Sequence, residues 1–260
     1  MSIMKIAIAG YGYVGKAVHN AVRRWHEAVV IDPGYDEFND NIIDDTFNGV
    51  IICVSTPEAE DGSCDMTNVI DVINTTPKKV PILIKSTISI EGWLQINADF
   101  PNHYICFSPE FLRAETAIED FQSQEIIYIS KEKSGSHEHW QKMFKGCLYG
   151  RKYNFKSAEE LILAKYFRNS FLATKVSFFN QVYDLCKAKD IDFESVRQVI
   201  ADDKRIGHGH SMVTEQRGFG GHCFPKDTSA IVETAKNDNV DLTLIEEAIK
   251  YNATIRKPNK

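Results

Sequence analysis

The chain has 260 residues, a formal net charge of −6 and 43% hydrophobic against 25% charged residues. That length can bury a substantial core and exceeds the usual single-domain size, so two modest domains are expected. The acidic balance gives no general pull towards nucleic acid or an anionic membrane, and no signal peptide, long apolar run or lipidation motif is visible, so a soluble cytoplasmic protein is expected.

Residues 5–9 read as a short buried strand that runs straight into Gly10-Tyr11-Gly12-Tyr13-Val14-Gly15 and then a helix over 16–25. This is Gly-x-Gly-x-x-Gly between a strand and a helix. The first glycine allows a tight turn, the second lets backbone approach a pyrophosphate, and the third lets the helix pack on the strand. A second strand over 28–31 ends in Asp32, where a carboxylate can accept bonds from a ribose 2′-hydroxyl. An acid there predicts NAD rather than NADP, held by Gly10, Gly12, Tyr13, Val14, Gly15 and Asp32.

Four more apolar runs follow, over 49–54, 81–85, 103–107 and 125–129. Continuous apolar strands of this kind predict a parallel sheet covered on both faces. Polar residues collect where these strands end, the place where open α/β sheets bind ligands. Thr56, Thr87 and Glu110 can face one crevice there, although each hydroxyl or acid after a strand also reads as an ordinary helix cap.

From Ser157 the pattern changes. Residues 158–189 contain no glycine or proline and predict one long helix, suited to a spine between domains or to pairing with a symmetry mate. Lys165 and Asn169, four apart, share one face of it. Further helices are expected over 193–202, 227–237 and 242–254. The fold class is therefore α/β: a Rossmann-type parallel-sheet domain over 1–156, followed by an all-helical domain over 157–260.

Between two of those helices lies Gly218-Phe219-Gly220-Gly221-His222-Cys223-Phe224-Pro225-Lys226-Asp227. Glycines let backbone approach a bound group, a thiol can be a nucleophile, and a neighbouring ammonium favours the thiolate. The other reading of Cys223 is a small buried hydrophobe. The six cysteines, at 53, 64, 106, 147, 186 and 223, form no CxxC pair, which fits reduced thiols. His208, His210 and His222 match no strong zinc spacing, and no metal is expected.

Together these segments resemble the UDP-glucose/GDP-mannose 6-dehydrogenases over nearly the whole chain. The segments that carry the resemblance are the glycine turn, Cys53-Val54-Ser55-Thr56-Pro57, Lys85-Ser86-Thr87, Ser108-Pro109-Glu110-Phe111-Leu112-Arg113, Lys165-Tyr166-Phe167-Arg168-Asn169, Phe178-Phe179-Asn180, Arg205-Ile206-Gly207 and the cysteine loop. The resemblance implies a four-electron, NAD-dependent oxidation of a nucleotide sugar's C6 alcohol to a carboxylate, with UDP-glucose as the default substrate. It implies that Cys223 attacks the C6 aldehyde, that Lys165 and Asn169 stabilise the oxyanion, and that Asp227 orients or activates water. Glu110 is then the acid/base of thioester hydrolysis, Thr87 positions a water or the nicotinamide, and Val54, Ser55 and Thr56 line the cofactor. Phe111, Leu112, Phe219, Gly220 and Gly221 would hold the sugar, and Arg205 would reach it across a homodimer interface.

Two departures stand out. The family's second glutamate falls on Ala114 here, with Glu115 displaced by one, which predicts slow thioester turnover. The chain also ends at Lys260, where the resemblance implies a further nucleotide-clamping domain. That domain would sit on a separate chain, have been removed, or be dispensed with in a compact natural form; the chemical residues present through Asp227 favour the last. A two-electron hydroxyacid dehydrogenase and a non-catalytic NAD-binding relative are the competing functions. Neither needs Cys223.

Overall fold

The computed structural model describes residues 2–257 apart from 40, 58, 60–63, 133 and 222. These fall into two compact units, one from residues up to 59 and from 64 to 165, the other from 166 onwards. The first turns of the long helix, through Lys165, belong to the first of these units.

The first unit runs β1 (Lys5–Ala9), α1 (Tyr13–Val22), β2 (Glu27–Ile31), β3 (Gly49–Ile52), α2 (Thr67–Thr75), β4 (Ile82–Ile84), α3 (Ile90–Asp99), β5 (Ile105–Phe107), α4 (Ala117–Ser123), β6 (Ile126–Ser130), α5 (Ser136–Cys147) and β7 (Lys152–Lys156). Five strands form a parallel sheet in the order β2-β1-β3-β4-β5. In β3, β4 and β5 every residue is buried, as the continuous apolar runs predict for a sheet with both faces covered. Ala17, Val18, Ala21 and Val22 of α1 and Trp140, Met143 and Phe144 of α5 belong to the same core as Ile6, Ile8, Ile51 and Leu83 of the sheet.

The register matters for function. Ala9 lies opposite both Ile31 and Ile52, Ile52 opposite Ile84, and Ile84 opposite Phe107. The residues that follow each strand therefore emerge along one edge: Gly10, Asp32, Cys53, Lys85 and Ser108. The order reverses between β1 and β3, the switch point at which such sheets bind ligands.

The sixth expected strand is present but pairs elsewhere. β6 joins β7 in a separate two-stranded parallel ladder. Its Ser130 hydroxyl accepts a bond from the Phe107 N–H at 2.8 Å, the link back to β5.

α6 (Ala158–Ala188) follows, then α7 (Phe193–Ala201), α8 (Phe224–Asn237) and α9 (Thr243–Ile255). A capping box starts α6: Ser157 Oγ accepts from Glu160 N at 3.1 Å, and Glu160 Oε2 accepts from Ser157 N at 2.7 Å. Within the second unit, Ala173, Val176 and Phe219 form a core against which Phe224 and Ile249 pack. No described helix is long and apolar enough to cross a membrane.

Candidate active site

The glycine turn shows three different reasons for three glycines. Gly10 has φ +93°, and a Cβ there would lie 2.7 Å from the Cys53 carbonyl and the Val54 nitrogen. A Cβ on Gly15 would lie 2.0 Å from Gly10 O, so only glycine lets α1 approach the turn. Gly12 meets nothing within 4 Å and is the N-cap of α1, a residue with no side chain of its own to cap the helix. An open approach to a helix N-terminus fits a pyrophosphate.

Asp32 is fixed beside this turn. Its Oδ2 accepts from Tyr11 N at 2.6 Å and its Oδ1 from Gly34 N at 2.8 Å. Each carboxylate oxygen retains a second lone pair for a ribose hydroxyl. Tyr13 is partly exposed and Val14 half-buried. After β3, the Val54 carbonyl accepts from Ser86 Oγ at 2.7 Å and the Ser55 carbonyl from Asn68 Nδ2 at 3.0 Å, while Thr56 is buried. Cofactor contacts here would come from a well-braced edge.

At the ends of β4 and β5 the first unit holds two buried lysines and a buried glutamate. Lys85 Nζ makes an ion pair with Glu110 Oε1 and donates to Ser108 Oγ at 3.0 Å. Lys165, from the first turns of α6, donates to the Glu110 backbone carbonyl at 2.9 Å. Burial pushes the Lys85 ammonium down to about 7; Cys53 opposes that shift and the like charge of Lys165 adds to it. Thr87, two residues on, is half-buried, and its carbonyl accepts from the Cys64 thiol at 3.3 Å.

The segment after Glu110 is pinned from its far end. Arg113 donates to both oxygens of Asp120, at 3.1 and 2.6 Å, and its backbone N–H adds a third bond at 2.9 Å. The Phe111 ring stands edge-on to Tyr128, and Leu112 packs against the core. Glu115, the displaced acid, is exposed.

In the second unit, Cys223 is the half-buried N-cap residue of α8. One turn later Asp227 is buried, and its carboxylate accepts from Asn169 Nδ2 at 2.6 Å and from Lys226 Nζ at 3.0 Å. Asn169 thus spends one N–H on Asp227 and keeps another for a ligand. On the continuous helix α6 it lies one turn beyond Lys165.

The loop before Cys223 is strapped down. Phe219 is buried in the core and both of its backbone groups bond the Asn252 amide, which leaves its carbonyl one further lone pair. Gly218, at φ +52°, and Gly220 pass so close to Asn252 and Arg256 that a Cβ would meet them at 2.1 and 2.4 Å. Gly221, at φ +77°, faces open space. His222 lies outside the described residues. Arg205 is exposed and paired with Asp203.

Residues 38–148 match the NAD binding domain of the UDP-glucose/GDP-mannose dehydrogenase family, and residues 156–254 match its central domain. The chain belongs to this family. A UDP-glucose 6-dehydrogenase of Rickettsia felis is 32% identical over 78% of this chain and 47% of its own length. One from Bacillus subtilis is 30% identical over 95% of this chain and 62% of its own. The chain thus spans about half the length of most of the curated relatives it matches.

Among solved structures, a UDP-glucose dehydrogenase of Pyrobaculum islandicum superposes with a TM-score of 0.84 at 24% identity, over 97% of this chain and 68% of that one. A 3-hydroxyisobutyrate dehydrogenase of Mycobacterium tuberculosis gives 0.75 at 16%, over 97% and 94%. Both share the fold. The family's NAD binding domain makes NAD the cofactor, in agreement with Asp32 at the end of β2.

Asn252 and Arg256 carry no signal in the sequence, and Lys85 enters there only as part of Lys85-Ser86-Thr87, without a role of its own.

Proposed function

We propose that this protein oxidises the C6 alcohol of a nucleotide sugar, UDP-glucose by default, to a carboxylate through a covalent Cys223 intermediate. The observation that carries this reading is Cys223 at the N-terminus of α8, in a loop held by glycines, with buried Asp227 one turn on and bonded to Asn169. The N-terminus of a helix favours negative charge, which suits a thiolate and an oxyanion alike.

NAD, held by the turn from Gly10 to Gly15 and by Asp32, supplies a two-electron acceptor when bound. The side chains handle the rest. After the first oxidation gives the aldehyde, the Cys223 sulfur bonds to C6 and the thiol proton ends on the C6 oxygen, giving a thiohemiacetal. Lys165 and Asn169 stabilise the charge that develops on that oxygen. Loss of a second hydride from C6, with the hydroxyl proton released to solvent, leaves a thioester. Glu110 takes a proton from water, the hydroxyl bonds to C6, the S–C6 bond breaks, and sulfur regains a proton. Two NAD are consumed per sugar and four electrons leave C6. Thr87 orients water or the nicotinamide, Asp227 tunes the thiol's surroundings, and Phe111, Leu112, Gly220 and Gly221 contact the sugar.

A homodimer completes the reading. Phe171, Phe178 and Leu185 recur every seven residues on α6 and are more than half exposed, at 68%, 53% and 62%. Such a stripe suits a second copy, whose Arg205 would reach the sugar. None of the six cysteines forms a disulfide, as suits the cytoplasm.

A two-electron hydroxyacid dehydrogenase is the second reading, favoured by the shared fold with 3-hydroxyisobutyrate dehydrogenase along nearly all of that chain. Product counting decides between them. A screen of UDP- and GDP-sugars should yield two NADH per sugar consumed, lost in Cys223→Ser; one NADH, unchanged by Cys223→Ser, supports the alternative. NAD binding without NADH from any sugar indicates a non-catalytic relative.

A further inference from the structure

We propose that Lys85 is the positioning residue of Glu110: it holds the Glu110 carboxylate ionised and in one orientation, ready to act as the base of thioester hydrolysis. This rests on the reading of Glu110 given above, and it assigns a task to a residue that the covalent chemistry leaves idle.

The sheet register puts the two together. Ile84 and Phe107 are paired neighbours on β4 and β5, so the next residues, Lys85 and Ser108, run side by side. Both backbones are fixed, Lys85 N donating to Ile52 O at 2.8 Å and Ser108 N to Ile84 O at 2.9 Å. Lys85 Nζ then has Ser108 Oγ at 3.0 Å and the Glu110 carboxylate in contact. Both side chains are 3% exposed. The Phe121 and Phe144 rings close the site, their centroids 5.6 and 5.8 Å from Nζ.

Among the described residues neither of the Glu110 carboxylate oxygens accepts a hydrogen bond beyond the Lys85 contact. A carboxylate buried against apolar rings without a partner becomes neutral, and a protonated Glu110 cannot take a proton from water. Removing one member of a buried pair leaves the other uncompensated.

Among the described residues, the titratable groups that face Lys85 are Glu110 after β5, Cys53 after β3 and Lys165 on α6; α4 and α5 offer the two rings. Burial draws the Lys85 ammonium down to about 7. Lys165 serves a separate purpose on the same residue: its bond to the Glu110 carbonyl fixes the backbone from which the carboxylate hangs.

The test is a carbon-detected NMR titration of 13C-glutamate-labelled protein from pH 5 to 9, with the Glu110 signal identified by its loss in Glu110→Gln. Glu110 should be ionised at pH 7 in the native protein and should titrate at least about one unit higher in Lys85→Met. A Glu110 that is protonated at pH 7 in the native protein, or that titrates alike in both, overturns the proposal. The first of these needs no variant at position 85, so a Lys85→Met chain that fails to fold leaves the decision open to the native protein alone.

With a nucleotide sugar and NAD, Lys85→Met should accumulate a Cys223-linked acyl adduct and its hydrolysis should need higher pH, whereas a merely structural role leaves that pH profile in place. A native chain that oxidises no sugar overturns the dehydrogenase reading, and the titration separates that failure from failure of the pair.

Discussion

Asn252 and Phe219 are joined by two hydrogen bonds, the Asn252 Oδ1 accepting from the Phe219 N–H at 2.7 Å and its Nδ2 donating to the Phe219 carbonyl at 3.0 Å. A side-chain amide thus plays the part of a neighbouring strand, and α9 fixes the loop that leads to Cys223. Arg256 Nη1 donates to the Arg217 carbonyl at 2.9 Å and adds a second tie. Gly218→Ala would drive a methyl into Asn252 Oδ1 at a positive φ. We expect Gly218→Ala and Asn252→Ala each to cost about 1–3 kcal/mol in chemical denaturation, and to slow labelling or turnover at Cys223 more than NAD binding.

The glycine turn gives a contrast between neighbours. Gly12→Ala puts its methyl in open space within the protein, so stability should change by less than about 1 kcal/mol, while NAD affinity measured by calorimetry falls at least about tenfold. Gly15→Ala meets the Gly10 carbonyl and should destabilise the first unit as well as abolish binding. Equal losses of stability in the two would contradict the assignment.

Acid should loosen the segment that follows Glu110. Asp120 is held well down, to about 2 from 3.8, chiefly by its hydrogen bonds from Arg113. A folded pKa below the unfolded one contributes stability that is full above about pH 4 and lost as pH falls towards 2. Asp120→Asn should flatten that acid limb in thermal melts and raise the KM for the sugar by several-fold at neutral pH.

Much of this fold was legible because burial is so complete. β1, β3, β4 and β5 announce themselves as apolar runs, and the capped 31-residue α6 as a stretch without glycine or proline. β7 was missed because Lys152, Asn154 and Lys156 point outward and give it a polar look, and β6 was assigned to the main sheet because its partner was unseen. α8 begins at Phe224 rather than 227, since Pro225 suits a helix's first turn; that shift puts Cys223 at the N-cap. The Lys85–Glu110 and Asn252–Phe219 pairs join residues far apart in sequence, for which no local pattern exists.

Phe178→Glu, in the middle of the exposed α6 stripe, should convert a dimer into a folded monomer by analytical ultracentrifugation and reduce turnover if Arg205 acts across the interface. A native protein that sediments as a monomer at every concentration would contradict the dimer.

Ala114→Glu restores an acid next to exposed Glu115 and should speed the hydrolytic step in rapid-mixing kinetics. No gain in that step would show that the displaced glutamate is not what limits it.

The central claim is that Cys223 bonds to the sugar. Intact-mass spectrometry of Glu110→Gln, quenched in acid after mixing with UDP-glucose and NAD, addresses it most directly. We expect a mass increase equal to the UDP-sugar acyl group, mapped to Cys223 and absent from Glu110→Gln/Cys223→Ser. Steady NADH production with Cys223 unmodified, and undiminished in Cys223→Ser, would contradict the account.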